Sequence, residues 1–272
     1  MTPTAVASLP HLGVLRFSGA DTLRFLQGQL SNDVERLPAS GSLLAGLHSP
    51  QGRVIAVLLL LAGADGTVLA VLPQELAAAV STRLARFILR AKVRIEDASA
   101  QLAVFGVEDP AGRRLLVQPR DAPAPAGESM PQSAWRAGDI ALGLPQVYVA
   151  TSEAFLAQML NLDRVDGVSF TKGCYTGQEI IARAHYRGRV KRRMQRFLAP
   201  DAAAIAPGER YRLPDGRTIE VVDAAPRRAG GWELLAVAPL TVGPSGEDAL
   251  EDPAAPCLLG AQSAPLPYAL ED

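Results

Sequence analysis

The nine-residue run VIAVLLLLA, residues 54 to 62, is the most hydrophobic stretch of the chain. It is far shorter than the ~20 residues that a membrane-spanning helix needs. The polar turn SPQG, residues 49 to 52, precedes it, and AGADG, residues 62 to 66, separates it from the apolar segment TVLAVL. Apolar runs joined by such short turns predict β-hairpins.

Strand-like and helix-like segments alternate through the first 110 residues. GVLRF, residues 13 to 17, predicts a strand, and residues 18 to 37 predict a helix capped by Ser18 or Asp21 because leucines recur there at helical spacing. Another helix is predicted from Pro73 to about Arg90. Two strand-like segments follow, at 92–97 and 101–107. The alternation indicates an α+β or α/β core.

The second half of the chain is organised differently. Residues 118 to 132, rich in proline and small side chains, predict a surface or interdomain loop, and residues 152 to 160 predict a short helix capped by Ser152. From about residue 194 the pattern becomes strands and turns, including a Pro-Asp-Gly turn. These last residues predict a small all-β domain.

The composition sets limits on the class of protein. The chain has 272 residues, enough for one large domain or two to three small ones. Its 27 basic and 28 acidic residues nearly cancel, so any attraction to nucleic acid or membrane must be local. Only two cysteines are present, Cys174 and Cys257, too few for a disulfide framework and too few to ligate an iron–sulfur cluster by themselves. With no secretory signal in MTPTAVASLPHLG, the sequence predicts a cytoplasmic protein without disulfides or membrane contact.

The segment TKGCYTGQE, residues 171 to 179, is the most distinctive motif. Thr176 and Glu179 fit a capping box at the start of a helix, which places Cys174 beside the exposed N–H groups of a helix N-terminus. Lys172 adds a positive charge nearby, so the segment suits an activated thiolate or an anion site. The alternative is an ordinary helix start with a small buried cysteine, and spacing alone favours that alternative.

A basic strip, RAHYRGRVKRRMQR, follows at residues 183 to 196 with seven lysines and arginines and no acidic residue. It is either an anion-binding surface, for a polyglutamyl cofactor tail or RNA phosphates, or a solvated segment joining two domains. His185 and Tyr186 within it either stack on an aromatic ring or serve only in packing.

Motifs of the common enzyme classes are absent from the sequence. It has no nucleophile elbow, Walker A sequence, zincin helix or dinucleotide-binding glycine motif. Its three histidines lack metal-ligand spacing, so no metal site is predicted.

KGCYTGQE, preceded by NLDRVDGVSF and followed by IIARAHYRGRVKRRM, resembles the signature of the YgfZ family of folate-binding proteins, relatives of the glycine cleavage aminomethyltransferase, or T-protein. The segments SGAD…FLQGQLSND, WRAGDIALGLPQ and APLPYALED extend the resemblance across the chain. It implies an α+β fold of three domains in a ring around a central folate-binding cavity. The implied domains are residues 1–48 with 133–193 for folate binding, 49–132 as an inserted ferredoxin-like unit, and 194–272 as a C-terminal β-barrel.

The resemblance also implies site residues and partners. Cys174 matches the family's proposed functional thiol, and Trp135 matches a tryptophan associated with folate binding. The other implied cofactor-binding residues are Lys172, Gly173, Tyr175, Gly177, Gln178, Glu179, Arg183 and Arg187. The implied cofactor is tetrahydrofolate or a derivative, and the implied role is in iron–sulfur cluster assembly or repair, through transient contact with client enzymes, and thereby in tRNA modification.

The sequence departs from the family pattern at two places. A second family tryptophan is replaced here by His11 or Leu12. The aspartate pair of true aminomethyltransferases falls on Ala56 and Val57, so aminomethyl transfer by the standard route is not expected. An accessory role is therefore the main hypothesis, with one-carbon transfer through a relocated base as the alternative, and whether the protein is an enzyme is left open.

Overall fold

The structure is a computed structural model that describes residues 4–188, 190–200, 204–240, 252 and 254–270. Within these residues the strands are β1 (Ala5–Ser8), β2 (Leu12–Ser18), β3 (Ser42–His48), β4 (Val54–Ala62), β5 (Val68–Pro73), β6 (Arg94–Asp97), β7 (Leu102–Asp109), β8 (Gly112–Pro119), β9 (Glu128–Ser129), β10 (Arg192–Ala199), β11 (Arg210–Arg212), β12 (Thr218–Pro226), β13 (Trp232–Pro239) and β14 (Gln262–Ala264). The α-helices are α1 (Thr22–Gln29), α2 (Leu37–Ser40), α3 (Gln74–Ala85), α4 (Gln132–Ala141) and α5 (Gln178–Tyr186). Short 3-10 helices lie at Val34–Arg36, Ala64–Gly66 and Val149–Thr151.

The strands form three sheets with different connectivities. The first is wholly antiparallel in the order β3-β4-β5-β2-β6, and the apolar run of residues 54 to 62 is its strand β4. Both hairpins predicted around that run, β3–β4 and β4–β5, are confirmed. The second sheet has the order β8-β7-β1-β9, in which β1 and β9 are parallel. The fold is therefore mixed α and β with several sheets.

The third sheet carries the C-terminal region in the order β11-β12-β13-β10-β14. The prediction of an all-β C-terminal region is confirmed by these strands. Within the described residues the edge strands β11 and β14 do not pair, so the sheet is not closed into the predicted barrel. The domain boundary predicted between residues 48 and 49 falls within the hairpin that β3 and β4 form.

Three helix predictions need correction. The helix predicted over residues 18 to 37 stops at Gln29, where Leu30 turns to an extended conformation, and helical structure resumes only at Val34. The helix predicted to about Arg90 ends at Ala85. Residues 152 to 160 form turns rather than a helix, because their polar groups bond to other elements: the Ser152 hydroxyl donates to the Ile55 carbonyl oxygen.

Burial divides the apolar side chains into three clusters. The largest lies between the first sheet, its helices, the turns of residues 155 to 168 and one part of the C-terminal sheet. The second lies within the C-terminal sheet, and the third joins the first two sheets around Trp135. Burying such side chains contributes ~25 cal/mol for each Å² of apolar surface removed from water. The third cluster matters for the site because it fixes one end of α4.

Candidate functional site

A cavity of about 320 Å³ is lined by residues from all three sheets, from α4 and from the segment that follows α4. Its volume is at the lower end of the ~300–1,000 Å³ range of small-molecule sites. Its apolar wall includes Leu44, Val57, Leu59, Leu61, Val71, Leu115, Leu142 and Leu144. Its polar groups include His11, Arg113, Arg114, Trp135, Arg136, Asp139, Gln146, Tyr148 and Asp223.

Trp135, the predicted folate-binding tryptophan, lines this cavity and is only 4% exposed. The guanidinium carbon of Arg113 lies 3.8 Å from the centroid of its ring. A Cβ atom at Gly106 would lie 2.4 Å from the indole, so this position of β7 requires glycine. The ring is therefore held tightly, and Arg113 limits the area of indole on which a ligand can stack.

Asp139 lies one helical turn after Trp135 on α4 and faces the same cavity. Arg113 Nη2 donates to its Oδ1 at 2.9 Å and to the Trp135 carbonyl oxygen at 2.8 Å, while Arg113 Nη1 donates to Glu108 at 2.6 Å. Burial raises the pKa of Asp139 to about 6, and Arg113 opposes that rise. Asp139 is thus a carboxyl whose protonation changes near neutral pH.

A second buried carboxylate, Asp223, comes from β12 on the other side of the cavity. Arg136 Nε donates to its Oδ1 at 2.6 Å, and the Tyr148 hydroxyl donates to its Oδ2 at 3.2 Å. The pairing register of β12 with β13 shifts between Val221 and Asp223, which is a β-bulge. Bulges redirect side chains, and this one accompanies the placement of a charged group in a strand that is otherwise largely apolar.

His11, the residue near the position of the family's second tryptophan, also lines the cavity. Burial and the charge of Arg136 lower its pKa to about 4, so the imidazole is neutral at pH 7. Its Nδ1 atom is buried and has no hydrogen-bond partner among the described residues. An unsatisfied buried acceptor or donor is costly, and a ligand in the cavity could satisfy it.

The two positions expected to carry transferase aspartates are apolar in the structure. Val57 lines the cavity, and Ala56 is fully buried beside it on β4. The cavity contains carboxylates, but they are Asp139 on α4 and Asp223 on β12. The acidic groups of this site therefore come from different elements than the sequence comparison suggested.

Lys172, in the TKGCYTGQE motif, is hydrogen-bonded to the main chain of an earlier part of the protein. Its Nζ donates to the carbonyl oxygens of Gln27, Leu30 and Asn32 at 2.6, 2.6 and 2.9 Å. These carbonyls include the end of α1 and the chain that leaves it, so the ammonium group ties the motif to that helix end. Burial lowers the pKa of Lys172 to about 8, with Asp33 and Glu35 opposing.

Cys174 is exposed, and a Cβ atom at Gly173 would meet nothing within 4 Å. Helix α5 begins at Gln178 with Gly177 as its N-cap, and no side chain caps it. The predicted capping box of Thr176 and Glu179 is wrong. Gly177 takes this place because its φ of 83° is left-handed, a conformation that glycine adopts without strain.

The centre of the motif packs closely on the turn of residues 49 to 52. A Cβ atom at Gly177 would lie 2.5 Å from the Ser49 carbonyl oxygen. Tyr175 is buried, 6.2 Å from the ring of the fully buried His48. Burial lowers the pKa of His48 to about 4, opposed by the Gly52 backbone, and neither ring nitrogen has a hydrogen bond of normal geometry within the described residues.

The remaining predicted residues lie on α5 and at its end. Gln178 is partly buried, whereas Glu179, Arg183 and Arg187 are exposed. Trp135 lines the cavity. Within the described chain, no residue from 172 to 188 does so. The structure thus separates the predicted site residues into a cavity group, with Trp135, and a surface group around Cys174.

Sequence reasoning missed most of the polar groups of the cavity: His11 as a polar group, Arg113, Arg136, Asp139, Tyr148 and Asp223. Two signals were available. In WRAGD, Arg136 and Asp139 lie beside a buried tryptophan at helical spacing. Asp223 interrupts the apolar strand segment VVDAA, where a carboxylate needs a partner.

Other kinds of site find little support in the described part of the chain. No cluster of three or more potential metal ligands occurs there. Cys174 and Cys257 are both free and exposed. Among the helices described, none is long and apolar enough to cross a bilayer.

The fold is that of the aminomethyltransferases. The structure matches glycine cleavage system aminomethyltransferase T from Bartonella henselae with a TM-score of 0.65, covering 88% of this chain and 79% of that one at 11% identity. At that identity the likeness concerns the fold alone. No protein-family model matches the chain.

Sequence relatives are more specific. The chain is 30% identical over 231 residues to the tRNA-modifying protein YgfZ of Serratia proteamaculans, covering 70% of this chain and 69% of that protein. It is 30% identical over 243 residues to the protein of the same name from an Enterobacter species, covering 75% and 74%. An uncharacterized protein of Haemophilus influenzae is 30% identical over 200 residues, covering 69% and 71%. The chain therefore belongs to the YgfZ family, as the KGCYTGQE signature predicts.

Proposed function

We propose that this protein is a folate-binding accessory protein that acts in iron–sulfur cluster assembly or repair and thereby in tRNA modification. The observation that carries the proposal is the cavity, which is lined by Trp135, by the carboxyl of Asp139 and by His11, whose Nδ1 has no hydrogen-bond partner among the described residues. Membership of a family whose named members are tRNA-modifying proteins supports the second part.

The cavity fits the head group of a reduced folate by its chemistry. Its pterin is a bicyclic ring system with a flat pyrimidine half and several N–H groups along one edge. Asp139 supplies an acceptor for such N–H groups, His11 supplies a further unpaired ring nitrogen, and the leucine and valine side chains supply an apolar wall. A cavity of about 320 Å³ suits the ring system, with the rest of the cofactor directed toward the opening.

The surface group has a different part in this proposal. Cys174 is its functional thiol, exposed where a client enzyme can reach it, and Lys172 and Gly177 hold the segment in place through the contacts described above. Gly173, Tyr175, Gln178, Glu179, Arg183 and Arg187 stay candidate cofactor or partner contacts. Contact with iron–sulfur clients is transient, and the link to tRNA-modifying enzymes is indirect.

The domain arrangement is also proposed. Residues 1–48 with 133–193, residues 49–132 and residues 194–272 form three units around the cavity, the last with barrel-like curvature. The cavity lining supports a ring-like arrangement because all three sheets contribute to it. The separate apolar cluster of the C-terminal sheet supports the third unit.

A tetrahydrofolate titration tests the proposal, and the chain's two tryptophans make it specific. In Trp232→Phe only the cavity indole emits, and tetrahydrofolate should quench it with the affinity measured for the wild type by calorimetry. Trp135→Phe, the matched variant, should lose most of the quenching and bind more weakly. Equal calorimetric affinity in Trp135→Phe and the wild type, with no quenching of Trp135, would show that folate does not occupy this cavity.

One observation favours a second candidate, folate-dependent one-carbon transfer. The carboxyl of Asp139 has a pKa of about 6, close to that of an effective general base at neutral pH. Incubation of the purified protein with aminomethyl- or methylene-tetrahydrofolate and amine acceptors distinguishes the two functions. Turnover that Asp139→Asn abolishes would support a transferase, and folate binding without turnover would support the accessory role.

A further inference from the structure

Three aromatic side chains cluster on the surface. Phe170 directly precedes the TKGCYTGQE motif, and His185 and Tyr186 are the last two residues of helix α5, which begins within that motif. The rings of Phe170 and His185 are stacked, with centroids 3.8 Å apart and planes 14° apart. The Tyr186 ring stands edge-on to both, at 4.8 Å from His185 and 6.1 Å from Phe170. We call these three residues the aromatic platform.

The platform is fixed at its base and open at its top. Phe170 is partly buried and packs against the largest apolar cluster of the protein. His185 is exposed, and Tyr186 is 68% exposed. Stacking on an anchored ring orients His185, so the platform presents aromatic surface to solvent in a defined position.

Two arginines flank the platform and form no ion pair within the described part of the chain. Arg183 lies one turn before Tyr186 on α5, and Arg187 follows Tyr186 directly; both are exposed. In the described part of the chain neither forms an ion pair with a carboxylate. Glu179, one turn before Arg183, is the nearby acidic residue on the helix and is likewise unpaired there. The flanking charge of this surface is therefore mainly positive and available.

We propose that the aromatic platform, with Arg183 and Arg187, binds an unpaired nucleotide of single-stranded RNA. A base stacks on an exposed aromatic ring whatever its identity, and a guanidinium binds a phosphate in a bidentate manner. An acidic peptide would use the arginines but would gain little from three clustered rings. RNA is the form of nucleic acid in keeping with the names of the relatives, and an unpaired nucleotide is required because a base within a duplex has no free face.

This inference does not depend on folate binding. The platform and the cavity share no lining residue within the described chain. Tetrahydrofolate affinity measured in Tyr186→Ala therefore separates the two ideas: this variant should bind RNA more weakly and keep the wild-type affinity for tetrahydrofolate.

Fluorescence anisotropy with a labelled, mixed-sequence, single-stranded 12-nucleotide RNA tests the stacking part in the full-length protein. Tyr186→Ala should weaken binding about tenfold, and Tyr186→Phe should retain wild-type affinity because the ring is kept. Phe87→Ala is the matched control, since Phe87 is an exposed aromatic residue elsewhere, 46% exposed at the end of α3. It should leave the affinity unchanged.

The salt dependence tests the phosphate part. Arg183→Gln/Arg187→Gln should reduce the slope of log K against log salt concentration by about 1.4, about 0.7 for each phosphate contact with a single strand. Tyr186→Ala should leave that slope unchanged because it removes no charge. Arg86→Gln/Arg90→Gln, at two exposed arginines near Phe87, is the control pair and should not change the slope.

Several results would overturn the proposal. One is the absence of RNA binding by the wild type at low salt, and another is equal affinity for the single strand and its duplex. A third is an equal loss of RNA affinity in Tyr186→Ala and Phe87→Ala. A fourth is displacement of RNA by polyglutamate as effectively as by unlabelled RNA. The last result would identify the surface as a site for acidic polypeptides.

Discussion

The cavity and the Cys174 surface use charge in opposite ways. In the cavity each acidic side chain is paired with an arginine, the partly buried Asp139 with Arg113 and the buried Asp223 with Arg136. At the surface Arg183 and Arg187 are exposed and form no ion pair within the described residues. Paired, buried charges fix the shape of a site, whereas unpaired, exposed charges attract a partner.

Lys172 lies in the same motif as the exposed Cys174. Its charged group is nevertheless partly buried and hydrogen-bonded, as the charged groups of the cavity are. All three of its N–H donors are directed at backbone carbonyls. One role of the TKGCYTGQE motif is therefore to fix the position of the main chain. Lys172 and Gly177 fix the main chain on either side of Cys174, and Cys174 itself is left exposed.

The largest expected effect comes from Cys174. Cys174→Ala should abolish support of cluster-dependent tRNA thiolation in a strain that lacks the native protein, while tetrahydrofolate affinity stays at the wild-type value. Cys257→Ala, at the other exposed free cysteine, is the matched control and should retain activity. Full activity of Cys174→Ala would remove the thiol from the mechanism, and a joint loss of folate binding would mean that the two regions are one site.

A large effect on stability is expected at Lys172. Lys172→Met leaves three carbonyl oxygens without their donor and should lower the free energy of unfolding by about 4 kcal/mol, given ~1–3 kcal/mol for each partly buried group left unsatisfied. Urea denaturation of the purified protein measures this. Lys92→Met, at an exposed lysine, should change stability by less than about 0.5 kcal/mol. A similarly small change at Lys172 would contradict the structural role.

His48 should make the stability depend on pH. Its pKa is about 4 in the folded protein, below the usual 6.5, so the unfolded chain takes up the proton first as the pH falls. Stability from this group is complete above pH 6.5 and is lost progressively down to pH 4, by about 3 kcal/mol in all. His48→Leu should reduce the slope of unfolding free energy against pH in that window, and the slope that remains should include the contribution of His11, whose pKa is also lowered to about 4.

The control for this prediction is Phe87→Leu, at an exposed aromatic residue that carries no titratable group. It should leave the pH dependence of unfolding as in the wild type. An unchanged slope in His48→Leu would show that the buried imidazole does not contribute to the pH dependence of unfolding.

Local patterns were enough to predict part of the fold. The run of residues 54 to 62 is a strand between two hairpins because short turns and continuous apolar sequence leave few alternatives. The helix boundaries were predicted less well. Thr176 and Glu179 satisfy a capping pattern, yet the helix begins at Gln178 with Gly177 as its N-cap. The close approach of the Ser49 carbonyl oxygen leaves no room for a side chain at residue 177.

Of the candidate site residues, Trp135 and Cys174 are predicted because the family motif marks them. The structure places Trp135 in the lining of the cavity and Cys174 at the surface. The ion pairs Arg113–Asp139 and Arg136–Asp223 join residues 26 and 87 positions apart. No periodicity within one sequence indicates such pairings, since they depend on how the sheets come together around α4.

The smallest effect is expected from Asp139, and it tests whether the cavity's charge is functional. If a ligand's N–H groups bind the ionised carboxylate, affinity should fall as the pH drops through the pKa of about 6. The facing groups Arg113 and Asp223 act in opposite directions on this pKa, and burial dominates both. Tetrahydrofolate should bind about tenfold more weakly at pH 5 than at pH 7.

Asp139→Asn should remove this pH dependence, and Asp121→Asn, at an exposed aspartate, should preserve it. Any protonation of tetrahydrofolate itself affects all three proteins equally, so the difference between the curves reports Asp139 alone. If the wild type and Asp139→Asn gave the same curve, the ligand would not contact this carboxyl. Asp139 would then serve, through Arg113, to hold the indole of Trp135. The paired charges of the cavity would in that case stabilise its shape without binding the ligand, whereas the exposed charges of the surface bind a partner.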